Sequence, residues 1–67
     1  MEDWVKVYSS DKKYKVNLLK GVLAENDIES SDINKKDSSF LIGSIEIYVH
    51  QDDAEKAREL IENHKEL

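Results

Sequence analysis

The chain has 67 residues, of which 37% are charged and 39% hydrophobic, with a formal net charge of −5 and no cysteine. The absence of cysteine excludes disulfide staples and thiolate metal sites and suits an intracellular, cytoplasmic protein. The acidic balance argues against a nucleic-acid backbone as partner, and no stretch has the apolar run of a membrane span or a signal peptide.

One domain over residues 1–67 is expected, with a single core of the kind that supplies about 3–5 kcal/mol net, so association with another chain is a natural means of support. The first element is a strand over residues 3–9, where Val5 and Val7 alternate with Trp4, Lys6 and Tyr8. A helix follows over roughly residues 12–26. Ser10 or Asp11 is its expected N-cap, and Tyr14 or Lys15, Leu18, Leu19, Val22 and Leu23 fall at helical spacing as its inward stripe. Gly21 inside this helix is expected to mark a close approach to the sheet, since a mid-helix glycine otherwise costs about 1 kcal/mol. Asn26 or Asp27 can take the left-handed conformation that ends the helix.

Residues 28–35 have weaker strand character, with Ile33 as the main apolar anchor, and predict an edge strand. The loop "KDSSFLIG" at residues 36–43 leads into "SIEIYVH", the strongest strand pattern in the chain: Ile45, Ile47 and Val49 share one face, and Ser44, Glu46, Tyr48 and His50 the other. Last, "QDDAEKARELIENHKEL" predicts a second helix. Asp52 and Asp53 stand at its start, Glu55 is spaced from Asp52 as in a capping box, and Ala54, Ala57, Leu60, Ile61 and His64 form its inward stripe.

The order β-α-β-β-α predicts a fold. A right-handed crossover leaves strands one and two parallel with room for strand three between them, antiparallel to both, giving the order 2-3-1. Both helices then cover one face of an α+β two-layer sandwich, which is the ferredoxin-like pattern lacking its final strand. Two openings result: strand one is a free edge, and the face away from the helices collects Trp4, Lys6, Tyr8, Glu46, Tyr48 and His50. Tryptophan and tyrosine are enriched at interface hot spots, so a protein partner, a second copy of the chain included, is expected there.

The segments "WVKVYSSD" at residues 4–11, "LLKGVLAEND" at 18–27, "NKKDSSF" at 34–40, "GSIEIYV" at 43–49 and "DDAEKARELI" at 52–61 resemble a bacterial family of putative prokaryotic signal-transducing proteins. That family is a domain of unknown function with a ferredoxin-like fold, grouped with the nitrogen-regulatory PII proteins. The resemblance covers nearly the whole chain and implies topology and a signalling role, with no catalytic residue to carry over. Three positions depart from the family pattern: Asp27 stands where glycine is common, His50 where proline is common, and Lys15 where an acidic or small residue is common.

Other sites carry less. Lys35, Lys36, Asp37, Ser38 and Ser39 could hold a small anionic metabolite or nucleotide, with the lysines supplying charge and the serines donors. The same segment also reads as turn chemistry, with Phe40 or Leu41 tucked under the sheet rim and Gly43 permitting a bulge. No glycine-rich phosphate cradle is present. His50 and His64 lack ligand spacing for a metal. Glu46 reads as a cross-strand partner of Lys6 rather than a general base, and neither serine has a histidine in a nucleophile arrangement. The expectation is a non-enzymatic binding or regulatory module with no cofactor, no nucleic-acid partner and no membrane partner.

Overall fold

The computed structural model describes residues 3–36 and 43–64, with the backbone alone for Lys35, Lys36 and Gly43. Along the chain run β1 (Trp4–Ser10), α1 (Lys13–Glu25), β2 (Ser30–Lys36), β3 (Gly43–His50), a 3-10 turn (Gln51–Asp53) and α2 (Ala54–His64). β3 lies between β1 and β2 and is antiparallel to both. The expected order 2-3-1 and the α+β class are therefore observed, as a ferredoxin-like layer short of one strand.

Both helices pack on one side. Val16, Leu19 and Leu23 of α1 and Ala54, Ala57 and Ile61 of α2 close over Ile45, Ile47 and Val49 of β3, with Ile28 at the margin. Ile47, Val49, Leu23 and Ala57 have no exposed surface at all. Three positions of the expected stripe on α1 need correction. Val16 takes the inward place on α1, while Tyr14 and Leu18 point to solvent; centring the inward face on Val16, Leu19 and Leu23 puts Tyr14 and Leu18 on the far side of a 3.6-residue turn. Gly21 is also exposed, with nothing within 4 Å of where a Cβ would stand. No approach to the sheet requires it.

The start of α1 differs by one or two residues from expectation. Lys12 is the N-cap and makes no side-chain capping bond, whereas the Ser10 hydroxyl accepts a 3.0 Å hydrogen bond from the Lys12 backbone N–H just outside the helix. The far end behaves as the sequence suggests. Asp27 takes φ 62°, its N–H reaches the Ala24 carbonyl at 3.1 Å, and the Ile28 N–H reaches the Leu23 carbonyl at 2.9 Å. This is a Schellman closure, and the accompanying apolar pair is Leu23 with Ile28, both buried. Ile28 is thus the apolar anchor before β2, in place of Ile33.

β1 is not regular. Lys6 pairs with Tyr48, but Tyr8 pairs with Ile47, so Val7 is an extra residue in the ladder. Such a bulge sends two successive side chains toward the same side. Val7 and Tyr8 both pack against the helix-covered core, along with Val5 and Leu60. Tyr8 therefore leaves the face on which simple alternation put it.

Candidate functional site

The sheet face away from the helices is built by three strands whose cross-strand partners share a side. Trp4 pairs with His50, Lys6 with Tyr48, and Ser9 with Glu46 across β1 and β3; Ser31 pairs with Tyr48 and Ile33 with Glu46 across β2 and β3. Five of the six residues expected on this face are on it: Trp4, Lys6, Glu46, Tyr48 and His50. The sixth, Tyr8, is excluded by the bulge.

Two contact groups organise the face. At one end the Trp4 and His50 rings lie with centroids 4.2 Å apart at an interplanar angle of 37°, and His50 Nε2 stands 3.4 Å from Glu29 Oε1. The backbone N–H of Gln51 donates to the Asp3 carbonyl at 2.7 Å, tying the start of β1 to the end of β3 where those rings meet. At the centre, Glu46 is only 9% exposed. Its Oε1 accepts a 2.8 Å hydrogen bond from the Tyr48 hydroxyl, and its Oε2 lies 3.4 Å from Lys6 Nζ. The expected Lys6 to Glu46 pairing is present. The bond to Glu46 holds the Tyr48 phenol above its ordinary range, with desolvation and the carboxylate charge adding to it and Lys6 opposing.

Ile33 and Ser31 belong to this face and were not among the expected site residues. Ile28 precedes the strand, so its inward position does not set the parity of β2, and pairing with β3 turns Ile33 outward beside Glu46. Asp32, on the opposite parity, faces the helix side and pairs with Lys20 of α1. The Lys20 hydrogen bond holds the Asp32 carboxyl below its ordinary range, against a smaller desolvation effect.

Asp37, Ser38 and Ser39 lie outside the described residues, and the backbones of Lys35 and Lys36 pair with Ser44 and Gly43 at the end of the β2 to β3 ladder. His50 stands at the end of β3, while His64 ends α2 with Nδ1 donating to the Leu60 carbonyl at 2.8 Å. Among the described residues no three histidine or acidic side chains gather as a metal set, none of the helices is long and apolar enough to cross a membrane, and no pocket is enclosed. Among the described residues the candidate site is thus a sheet face and not an enclosed cavity.

The model of a family described as "Putative prokaryotic signal transducing protein" matches residues 4–65. No curated protein and no solved structure matches the chain.

Proposed function

Because the chain belongs to the "Putative prokaryotic signal transducing protein" family, we propose that it is a small, non-enzymatic regulatory module of the cytoplasm that binds a protein partner through the open sheet face. The outer edge of β1 beside Trp4, with no strand paired to it among the described residues, extends that surface. What carries the reading is the juxtaposition of the Trp4 and His50 rings with Tyr48 and Ile33 on a face that neither α1 nor α2 covers. Aromatic side chains of this kind give large contact area at little cost in rotamer entropy. Among the described side chains of the face, Lys6 is paired with Glu46 and His50 stands against Glu29, so a partner can settle on the rings without stranding the buried Glu46 carboxylate. Lys6 and Glu46 would set its orientation through their charge pair at the centre of the face.

The test is capture from native lysate on immobilised wild-type chain, with Trp4→Ala and the exposed α2 variant Glu59→Lys as controls. A protein retained by wild type and Glu59→Lys but lost with Trp4→Ala is the expected result. Retention indifferent to Trp4 would refute the reading.

A further inference from the structure

We propose that α1 carries a second interaction surface, on the opposite side of the sandwich from the sheet face, and that its occupant is α1 of a second copy of this chain lying antiparallel. Tyr14, Leu18, Gly21 and Glu25 recur at i, i+4, i+7 and i+11, so they form one stripe along the helix. That stripe lies opposite Val16, Leu19 and Leu23, which face the core. Its two large apolar side chains are the most exposed of their kind among the described residues, Tyr14 at 64% and Leu18 at 43%. Gly21 continues the stripe as a small-residue gap that no contact within the chain uses.

The charges identify the occupant. Lys12, Lys13 and Lys15 crowd the N-terminus of α1 and outnumber Asp11 there, while Glu25 and Asp27 stand at its C-terminus. No acidic residue lies in the first turn and no basic residue in the last. Both ends therefore oppose the helix macrodipole, which favours anions at the N-terminus and cations at the C-terminus. An antiparallel copy repairs both ends at once, bringing Glu25 of each chain to the lysine-rich N-terminus of the other. A parallel copy would set like against like. In the antiparallel arrangement a two-fold axis near Leu18 seats each Tyr14 ring in the gap at the other chain's Gly21, an isologous contact that closes on itself.

α1 has 13 residues, or about 20 Å of contact length at 1.5 Å per residue. One such helix pair is a small interface of the weak, reversible kind. The resulting dimer would direct both sheet faces outward, offering two copies of the proposed partner surface and the gain in avidity that bivalence brings.

Sedimentation velocity on the full chain, from micromolar to millimolar concentration, is expected to show a monomer to dimer equilibrium that weakens when salt shortens the screening length to about 3 Å. Gly21→Gln is the decisive variant. It fills the gap without disturbing any intrachain contact, so the melting temperature is held or raised while the dimer dissociation constant rises by at least about tenfold. Glu25→Lys should abolish self-association, and mixing it with a Lys13→Glu, Lys15→Glu chain should restore a mixed dimer. A chain monomeric throughout the range overturns the proposal, as does a dimer indifferent to Gly21→Gln. A dimer broken by Trp4→Ala and untouched by Gly21→Gln would instead seat the second copy on the sheet face. Loss of Trp4-dependent capture, with the α1 dimer intact, would remove the sheet-face reading and leave this one standing.

Discussion

Tyr8 stands directly across the ladder from Ile47, although the pairing of Lys6 with Tyr48 two residues earlier would, in an unbroken strand, have set it against Glu46. The extra residue is Val7, and the consequence is a division of labour among the aromatics: Tyr8 supports the core and Trp4 remains on the open face. Tyr8→Ala is expected to lower stability by about 2 kcal/mol, less than the roughly 3–5 kcal/mol of a fully buried aromatic because Tyr8 is half-buried. Trp4→Ala should cost less stability but remove partner capture. Chemical denaturation of the two variants, read beside the capture assay, checks the division; equal stability losses would contradict it.

That bulge also marks how far the sequence could be read. The alternation in "SIEIYVH" and the helical spacing of Leu19, Leu23, Ala57 and Ile61 marked the buried faces, because a strand with one buried face specifies its own register, and the right-handed crossover rule then set the sheet order and the helix-covered side. Lys6 and Glu46 could be paired on paper because both lie on strands that the topology makes neighbours. Tyr8 and Ile33 could not be placed. Both depend on register relative to β3, and neither a bulge in β1 nor the late start of β2 leaves a mark in hydrophobic alternation. Tyr14 and Leu18 failed for a different reason: α1 is apolar on two opposite stripes, so periodicity alone could not say which stripe faces inward. Val16 decides it, as the residue that lines up with Leu19 and Leu23.

Two positions in and after α1 are locally suboptimal in complementary ways. Gly21 occupies a helical site where a methyl group would meet nothing, and Asp27 occupies a left-handed site that glycine fills without strain. Gly21→Ala should stabilise the fold by about 1 kcal/mol, raising the melting temperature by roughly 4–8 °C for a domain of this size. Asp27→Gly should add a smaller increment through relief at the Schellman position. Thermal unfolding followed by circular dichroism measures both. A fall in melting temperature for Gly21→Ala would mean that Gly21 has a packing role inside the chain.

The Lys20 to Asp32 pair links α1 to the edge strand β2 from the helix side. Lys20 depresses the Asp32 pKa below its ordinary 3.8. A depressed folded value contributes stability that is present above the unfolded value and is lost as pH falls through the folded one. Wild type should therefore lose this contribution only below about pH 4, and Asp32→Asn should show a flatter acid limb. Both side chains are partly solvated, at 32% and 41% exposure, which limits the cost of Asp32→Asn near neutral pH to less than about 1 kcal/mol. Urea unfolding at a series of acid pH values supplies the comparison, and an unchanged acid limb would show the pair to be energetically silent.

At the centre of the open face the opposite sign applies. The Tyr48 phenol donates to Glu46 and is held above its ordinary value of 10.0. Tyr48 is neutral when protonated, so a raised folded pKa contributes stability that is fully present below the unfolded value and disappears as pH rises through the folded one. The wild-type chain should lose stability on the alkaline side of pH 10, and Tyr48→Phe should remove that dependence while giving up the hydrogen bond at all lower pH values. Ultraviolet titration of the tyrosines in wild type and Glu46→Gln isolates the cause, because Glu46→Gln removes both the carboxylate acceptor and its charge and should bring one phenol back toward its ordinary range. A titration curve that Glu46→Gln leaves unmoved would place Tyr48 outside the influence of Glu46, and the centre of the face would then be two separate side chains in place of one hydrogen-bonded unit with Lys6.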